Sequence, residues 1–392
     1  MLGHMHSGRI ILRQLLEPLS RHEFNTCVDR YDSNRRVRAF SCWDQFLVML
    51  FAQLTYRDSL RDTEVCLRAW PGQLYHMGLR GSVARSTIAD ANESRSWRIW
   101  ADLAMILIAR ARRLYADDPV AGRLKASVYA FDTTTIDLCL ALFPWARFRQ
   151  HKAAVKLHTL LDLRGNIPCF INISDGSVHE VNLLDKLPIE AGAYYVMDRG
   201  FVDFARLYRM TLAQALFVTR AKQNMDYRVS ESRQVDRTRG LRADQTIKLR
   251  GLLSRRHYPS PLRRVSFVDP TTENALAFLT NDFTLAASTI CKLYKSRWQV
   301  ELFFKWVKQY LRIKSFFGQS PNAVKTQVWI AASAYVLVAI AKRELSLEPA
   351  MGEILQVLSL MMFEKTPINQ VFSVDSSKKS DTQDHNSLWL FD

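Results

Sequence analysis

The chain has 392 residues, of which 48% are hydrophobic and 23% charged, a composition that excludes disordered and fibrous proteins. Its net charge of +16 favours a polyanionic partner, most simply nucleic acid. The six scattered cysteines form no C-x-x-C pair, which argues against a disulfide framework or a zinc ribbon. Without a signal-peptide core or an apolar run of about 18 residues, we expect a cytoplasmic protein with no membrane contact, associated with the nucleoid when DNA-bound.

Residues 1–122 have helix-like apolar spacing with few strand signals, and they predict an all-helical N-terminal domain. Its segments include "CWDQFLVMLFAQL" and "SWRIWADLAMILIARARRLYADD". The short polar stretch "SVARSTIADANES" is consistent with either a helix-turn-helix corner or an ordinary capped helix.

The pattern changes near residue 126, where "ASVYAFDTTTIDL", "VKLHTLLDL" and "IPCFINIS" read as three successive strands. The last two are joined by the turn "RGN". Next come the strand "AYYVMDRG", the amphipathic helix "FVDFARLYRMTLA" and the strand "ALFVTRA". Strands followed by strand–helix alternation predict an α/β fold with a mixed sheet. We assign residues 123–221 and 284–345 to this domain.

Residues 222–283 interrupt the alternation with extended segments and predict a β-rich insertion. From Arg220 to Arg264, thirteen Lys or Arg residues face four Asp or Glu residues, an excess of +9. Such one-sided charge favours phosphate contact, although a solubilising surface has the same composition. The candidate contacts are Arg255, Arg256, Arg263 and Arg264. Residues 346–392 are expected to form a C-terminal helix and a disordered polar tail.

Three carboxylates stand where a sheet could bring them together. Asp132 and Asp198 each follow an apolar strand, where a carboxylate is costly unless a cation holds it. Glu301 lies in the stretch "YKSRWQVELFFKWVK". At about 100° per residue, this glutamate shares a helical sector roughly 60° wide with three other polar residues. They are Tyr294, Arg297 and Lys308. A solvated charged stripe would look the same, but the two strand-end acids favour a site.

The blocks "FDTTT", "VMDRGF" and Tyr294–Arg297–Glu301–Lys308 resemble the three acid-bearing blocks of DDE transposases of bacterial insertion sequences. The third block is similar to the Y-(2)-R-(3)-E-(6)-K signature of the insertion-sequence-four family. The resemblance is strong over residues 126–320 and weak outside them. It implies a ribonuclease-H-like catalytic core, preceded by an N-terminal domain that is expected to bind DNA ends. A mild departure is Phe201, where many relatives have Tyr.

The resemblance implies that Asp132, Asp198 and Glu301 are the catalytic metal ligands, with Asp132 bridging two ions. Three acids without a His or Cys cluster suit Mg²⁺, with Mn²⁺ as an expected substitute. Arg297, Lys308 and Tyr294 would hold phosphates, and Arg199 pairs with either an acid or a phosphate. The implied partners are double-stranded DNA, as terminal inverted repeats and target, and a second copy of the chain. Relatives cut their DNA ends through a hairpin, and we expect that route.

Two other functions fit the same residues. A ribonuclease-H-like nuclease would hydrolyse DNA without transposition. A catalytically inactive, transposase-derived protein would only bind DNA, but all three acids are present. A structural RNA-binding protein would need interleaved aromatic residues as stacking platforms, which the sequence does not offer.

Overall fold

The computed structural model describes residues 8–120, 124–149, 152–269, 273–310 and 316–373. The polar tail expected to be disordered lies, from residue 374 onward, outside the described residues. The elements reported below are therefore those of the described ranges.

Seven α-helices form the N-terminal part of the described chain. α3 begins at a capping box, in which Ser41 and Asp44 each bind the other's backbone N–H. α5 ends at Gly78, whose φ of +102° is a left-handed conformation that favours glycine. The helices are α1 (Ile11–Leu15), α2 (Arg21–Asp29), α3 (Cys42–Leu54), α4 (Leu60–Ala69), α5 (Pro71–Met77), α6 (Arg85–Ser94) and α7 (Arg98–Leu114).

Five of the next six strands build the centre of a mixed sheet in the order β4-β3-β1-β5-β6. β1 is antiparallel to β3 and parallel to β5, and β5 is parallel to β6. This is the ribonuclease-H-like arrangement, so the predicted fold class is confirmed. The short β2 pairs with the start of β3. The strands are β1 (Val128–Leu138), β2 (Arg147–Arg149), β3 (Lys152–Asp162), β4 (Ile167–Asp175), β5 (Tyr194–Met197) and β6 (Leu216–Arg220).

Two connections show how the local sequence determines the sheet. Gly165 and Asn166 both have positive φ, as a tight hairpin turn between β3 and β4 requires. β5 and β6 are joined by α8 (Phe204–Leu212), which begins where the Asp203 carboxylate accepts a hydrogen bond from the Arg206 N–H. Because β5 and β6 are parallel, the chain needs this crossover helix to return.

The insertion extends the same sheet beyond β6. β10 pairs antiparallel with β6, and the order continues through β9, β8 and β7. One short helix separates β8 from β9. These elements are β7 (Tyr227–Arg233), β8 (Leu241–Leu249), α9 (Leu252–His257), β9 (Leu262–Val268) and β10 (Ala275–Thr280).

The C-terminal helices cover one face of the sheet. The stretch predicted as one helix is two, because the regular pattern breaks at Arg297. Arg297 keeps helical angles (φ −54°, ψ −30°), so side-chain directions carry over from the first helix to the second. The helices are α10 (Ala287–Ser296), α11 (Trp298–Tyr310), α12 (Pro321–Glu344), α13 (Met351–Met361) and α14 (Ile368–Ser373).

α12 is the central helix of the molecule. It is long and apolar enough to cross a membrane, yet 94% of its most apolar window is buried inside the protein, as in a core helix. It packs on α7 and α3 and also contacts β4 and α11. One continuous hydrophobic core therefore joins the N-terminal helices to the sheet. A second core fills the opposite face of the sheet, beneath α8.

Candidate active site

The sheet register brings Asp132 and Asp198 side by side. In the parallel pair of β1 and β5, Phe131 lies opposite Met197, so the two aspartates occupy the next level of adjacent strands. Because side chains alternate along a strand, Asp132 projects to the same face as Ala130. Ala130 belongs to the core shared with α11 and α12. Both carboxylates therefore stand under the C-terminal helices.

Arg297 joins two of the three predicted acids. Its guanidinium donates one hydrogen bond to Asp132 Oδ2 at 2.6 Å and another to Glu301 Oε1 at 2.5 Å. The Arg297 side chain is only 15% exposed, against 18% for Asp132 and 32% for Glu301. The two carboxylates hold the pKa of Arg297 above its usual value despite burial, which alone would lower it. The guanidinium is therefore a charged, half-enclosed counter-ion between two acids.

Tyr294 is hydrogen-bonded to Asp198, the third of the predicted acids. Its hydroxyl donates to Asp198 Oδ1 at 3.2 Å, while its ring packs against Phe278 with the ring centroids 4.7 Å apart. Burial raises the pKa of Tyr294, so the phenol remains protonated and can donate. From the other side, the buried Thr219 hydroxyl donates to the Asp198 carbonyl and fixes the end of β5.

The Asp132 carboxylate is close enough to Glu301 and Asp198 to be affected by their charges. Burial raises the pKa of Asp132 to about 6, opposed by Arg297 and by the Thr133 N–H, and Glu301 and Asp198 raise it further. Arg297 alone cannot neutralise three carboxylates, so the cluster keeps a net negative charge when all are ionised. Such a site attracts cations.

Two other predicted phosphate-binding cations lie next to the strands that carry the aspartates. Lys308, in the last turn of α11, donates from Nζ to the Thr135 carbonyl of β1 at 2.9 Å. Arg199 directly follows Asp198 in a 3₁₀ turn and is exposed. The structure thus brings Tyr294, Arg297 and Lys308 to the face that carries Asp132.

The predicted arginines of the insertion differ in their environments. Arg255 and Arg256 are exposed on α9. Arg264 is half-buried, donates to the Ser266 hydroxyl at 2.7 Å and lies over the Tyr227 ring. Arg263 is buried, which argues against its predicted phosphate contact.

The position of Arg263 has a clear structural reason. Its side chain is 3% exposed and makes two 2.8 Å hydrogen bonds to the carboxylate of Asp244, itself 7% exposed. Its third donor group bonds the carbonyls of Asp282 and Leu285. Every strong contact is therefore internal, and Arg263 joins β9 to the segment that follows β10.

Three polar side chains near the site form a series of hydrogen bonds that was not predicted from the sequence. His158 of β3, fully buried, lies between the Thr133 hydroxyl on Nδ1 at 2.8 Å and the Ser174 hydroxyl on Nε2 at 2.9 Å. Burial lowers the pKa of His158 to about 4, assisted by Lys156 and Lys186. The hydrogen-bond partners of His158 could only be found from the strand register, which places Thr133 and Asn172 on the strands beside it.

Other acids have structural partners. Asp162, 3% exposed at its side chain, is paired with Arg112 at 3.0 Å and Arg164 at 3.4 Å. Asp185 pairs with two arginines of α8, which lower its pKa to about 2. These acids are balanced locally, unlike the cluster around Asp132.

The donor chemistry of the cluster suits a hard divalent cation, because its three acids offer only carboxylate oxygens. Within the described ranges, no three His, Cys, Asp or Glu side chains are arranged so that they could hold a metal ion directly. Arg297 lies between two of the carboxylates, and it would have to withdraw from at least one of them before both could bind a cation.

Comparisons with a family model and with individual proteins both match this chain to transposases. Residues 123–337 match the model of a transposase DDE domain, and residues 7–80 match a domain of unknown function (DUF4372). A Sinorhizobium fredii protein named as a transposase (y4zB) is 33% identical over 266 residues, 67% of this chain and 72% of that protein. A Geobacillus stearothermophilus protein named as a transposase for insertion sequence element IS5377 is 32% identical over 212 residues, 53% of this chain and 54% of that protein.

Two further similarities are more distant. A Synechocystis protein named as a transposase for insertion sequence element IS4SA is 24% identical over 311 residues, 74% of this chain and 81% of that protein. Among solved structures, the piggyBac transposase synaptic complex with hairpin DNA aligns with a TM-score of 0.46 and 9% identity. That alignment covers 95% of this chain and 84% of the piggyBac chain.

Proposed function

Because the chain belongs to the family of DDE transposases of insertion sequences, we propose that Asp132, Asp198 and Glu301 are its catalytic carboxylates. The observation that carries this proposal is their convergence. Asp132 and Asp198 occupy the same level of adjacent strands, and Arg297 joins Glu301 to Asp132. The transposase cuts DNA at the ends of its element and joins the released 3′ ends to a target.

The family uses divalent cations, and we infer that the three carboxylates hold two Mg²⁺ ions, with Mn²⁺ as a substitute. When bound, these ions activate the attacking oxygen and stabilise the charge on the leaving oxygen. Asp132, on which the charges of Glu301 and Asp198 both act, would hold the ions together with those two acids. Since its pKa is raised to about 6, Asp132 is ionised and able to bind a cation at neutral pH.

The polar residues around the acids are proposed to hold the DNA strand. Arg297 can turn from a carboxylate to a backbone phosphate when another cation neutralises that carboxylate. Lys308 lies beside β1 and Arg199 beside Asp198, so each could bind a phosphate flanking the scissile bond. Their positive charges also offset the repulsion between an acidic site and DNA.

Beyond the site, we propose that the exposed Arg255 and Arg256 and the half-buried Arg264 contact the DNA backbone. Two ends must be held together for transposition, so the proposed active form is a homodimer on DNA. The proposed second-strand route is a hairpin, and the expected place of action is the cytoplasm, on the nucleoid. The division into N-terminal, catalytic and inserted domains is retained as part of this proposal.

The test is Mg²⁺-dependent cleavage of a duplex carrying the element's terminal repeat, by wild type and by Glu301→Gln. The isosteric change removes one charge, and we expect cleavage to fall at least 100-fold while DNA binding persists. Asp137→Asn is the matched control, because Asp137 is exposed on β1 and faces away from Asp132.

Three other outcomes would each lead to a different conclusion. Cutting without joining to target DNA would favour a simple nuclease. Tight binding without cutting by the wild type would favour the inactive DNA-binding alternative. Full cleavage by Glu301→Gln would show that this glutamate is not a catalytic ligand.

A further inference from the structure

The N-terminal helices, far in sequence from the three acids, line an open pocket of about 480 Å³. Four of its lining residues are arginines, and one is an acid, Asp44. Its walls come from α1, the start of α2, the segment before α3 and the residues after α5. The arginines are Arg13, Arg21, Arg38 and Arg80.

The single acid of the pocket is already engaged. Both the N–H and the hydroxyl of Ser41 donate to Asp44 Oδ2 at 2.7 Å, in the capping box that begins α3. Among the described residues, none of the four arginines makes an ion pair or a side-chain hydrogen bond. Four positive charges therefore share one cavity with one occupied carboxylate, an excess of three.

The fold holds some of these guanidinium groups in place. Arg21 lies over the indole ring of the buried Trp43, 4.0 Å from its centroid. Arg13 is half-buried and touches the turn at Gly78, where an added Cβ would lie 3.3 Å from its Nη1. Burial lowers the pKa of both arginines, and the charges of Arg9 on Arg13 and of Arg13 on Arg21 lower them further, whereas the charge of Asp44 acts in the opposite direction on Arg21. Cations that converge on one rigid pocket with little balancing negative charge favour the binding of an anion.

We propose that this pocket binds a phosphate group of double-stranded DNA, so that the region matching a domain of unknown function positions the transposon end. Every lining residue lies within residues 7–80. The inference rests on the proposed function, because it takes DNA as the polyanion. Phosphate contacts position a protein on DNA without reading its sequence. The pocket therefore contributes affinity and register, not specificity.

The neighbouring α6, in the stretch considered for a helix-turn-helix, is less suited to this role. Its exposed residues include Asp90 and Glu93 as well as Arg85, so its outer surface has no excess of positive charge. The pocket is the more basic surface of the two.

The experiment measures binding of the full chain to labelled duplexes in EDTA, over a series of salt concentrations. The duplexes carry either the terminal repeat or a scrambled sequence. The test variant is Arg38→Ala/Arg80→Ala, since both residues are exposed and their removal leaves the core intact. The matched control is Arg61→Ala/Arg68→Ala, which removes the same charge from the exposed surface of α4. Deletion of the N-terminal helices is avoided, because it would uncover α12.

We expect the pocket variant to bind both duplexes about tenfold or more weakly than wild type. The slope of log K against log salt should fall by about 0.9 for each DNA phosphate that the variant no longer neutralises. Arg38→Lys/Arg80→Lys keeps the charge and should retain most of the slope. The α4 control should change affinity less than threefold, and melting curves should show all variants folded.

Three outcomes would overturn the inference. Equal affinities for the pocket variant and the α4 control would leave the transposase function standing and remove the pocket from DNA binding. Pyrophosphate that protects wild type from melting, with DNA affinity independent of the pocket, would identify a small-anion site instead. Failure of the wild type to bind any duplex would overturn the inference together with the proposed function.

Discussion

Arg297 donates hydrogen bonds to Asp132 and Glu301 at once, and so ties the central strand of the sheet to α11. An acidic cluster that holds its own guanidinium can fold without a cation. The same contacts set a condition on the proposed cation binding, because the guanidinium and a metal ion would compete for the same carboxylate oxygens.

Arg297→Ala should make the stability of the protein more dependent on divalent cations. In EDTA the unfolding free energy of the variant should be about 2 kcal/mol lower than that of wild type, since two half-buried carboxylates are left without their counter-ion. Added Mg²⁺ or Mn²⁺ should raise its Tm more than that of wild type, as measured by calorimetry. Lys295→Ala, at an exposed position of α10, is the control. An equal metal-induced shift in both proteins would contradict the competition between Arg297 and cations.

Tyr294→Phe separates the phenol's hydrogen bond from its packing. The ring still packs on Phe278, so Tm should stay within about 2 °C, while cleavage should slow about tenfold because Asp198 no longer accepts the phenol's hydrogen bond. Tyr294→Ala should unfold more easily, by about 3 kcal/mol, because the buried ring is also removed. Single-turnover cleavage and denaturant titration measure the two effects. An unchanged cleavage rate for Tyr294→Phe would exclude the hydroxyl from the reaction.

The arginines of the insertion should divide into two classes. Arg263→Ala should destabilise the protein by about 3–5 kcal/mol, because it leaves Asp244 buried without a partner. Arg255→Ala/Arg256→Ala should change stability by less than about 0.5 kcal/mol but weaken DNA binding. Urea unfolding and DNA-binding titrations would test this contrast. Undiminished stability in Arg263→Ala would show that its ion pair is dispensable.

His158 should give stability a specific pH dependence. Its pKa is about 4 when folded, whereas the unfolded chain has an ordinary value near 6.5 and takes up the proton first. Unfolding free energy should therefore fall as pH falls from 6.5 towards 4, by about 2 kcal/mol between pH 7 and pH 5. His158→Gln keeps a polar side chain without this titration. Urea titrations at both pH values should show a smaller decrease for the variant, and an equal decrease would rule out His158 as the cause.

The succession of strands along the chain and the polar face of the helix that carries Glu301 could be predicted, because both follow from short-range periodicity. Asp132 and Asp198 each end an apolar run, and Glu301 recurs at helical spacing from Arg297. The break at Arg297 was not predicted, because its backbone angles stay helical and the pattern of side chains is unaffected. The catalytic roles of these residues stay predictions.

Long-range partners could not be predicted in the same way. Arg263 reads as one more cation in a basic segment, and only the pairing of β8 with β9 places it against Asp244. The pocket arginines are spread from Arg13 to Arg80, at intervals with no common period. Their convergence depends on how four helices pack, which a linear pattern does not encode.

The position of α12 also sets the timing of assembly during translation. Pro321 is added 267 residues after Leu54, the end of α3, although the two helices pack together in the finished protein. At roughly 5–20 residues per second, the ribosome needs about 13–50 s to span that interval. During this time the buried faces of α3 and α7 lack their main partner. The N-terminal helices of a nascent chain therefore complete their packing only after α12 has been synthesised.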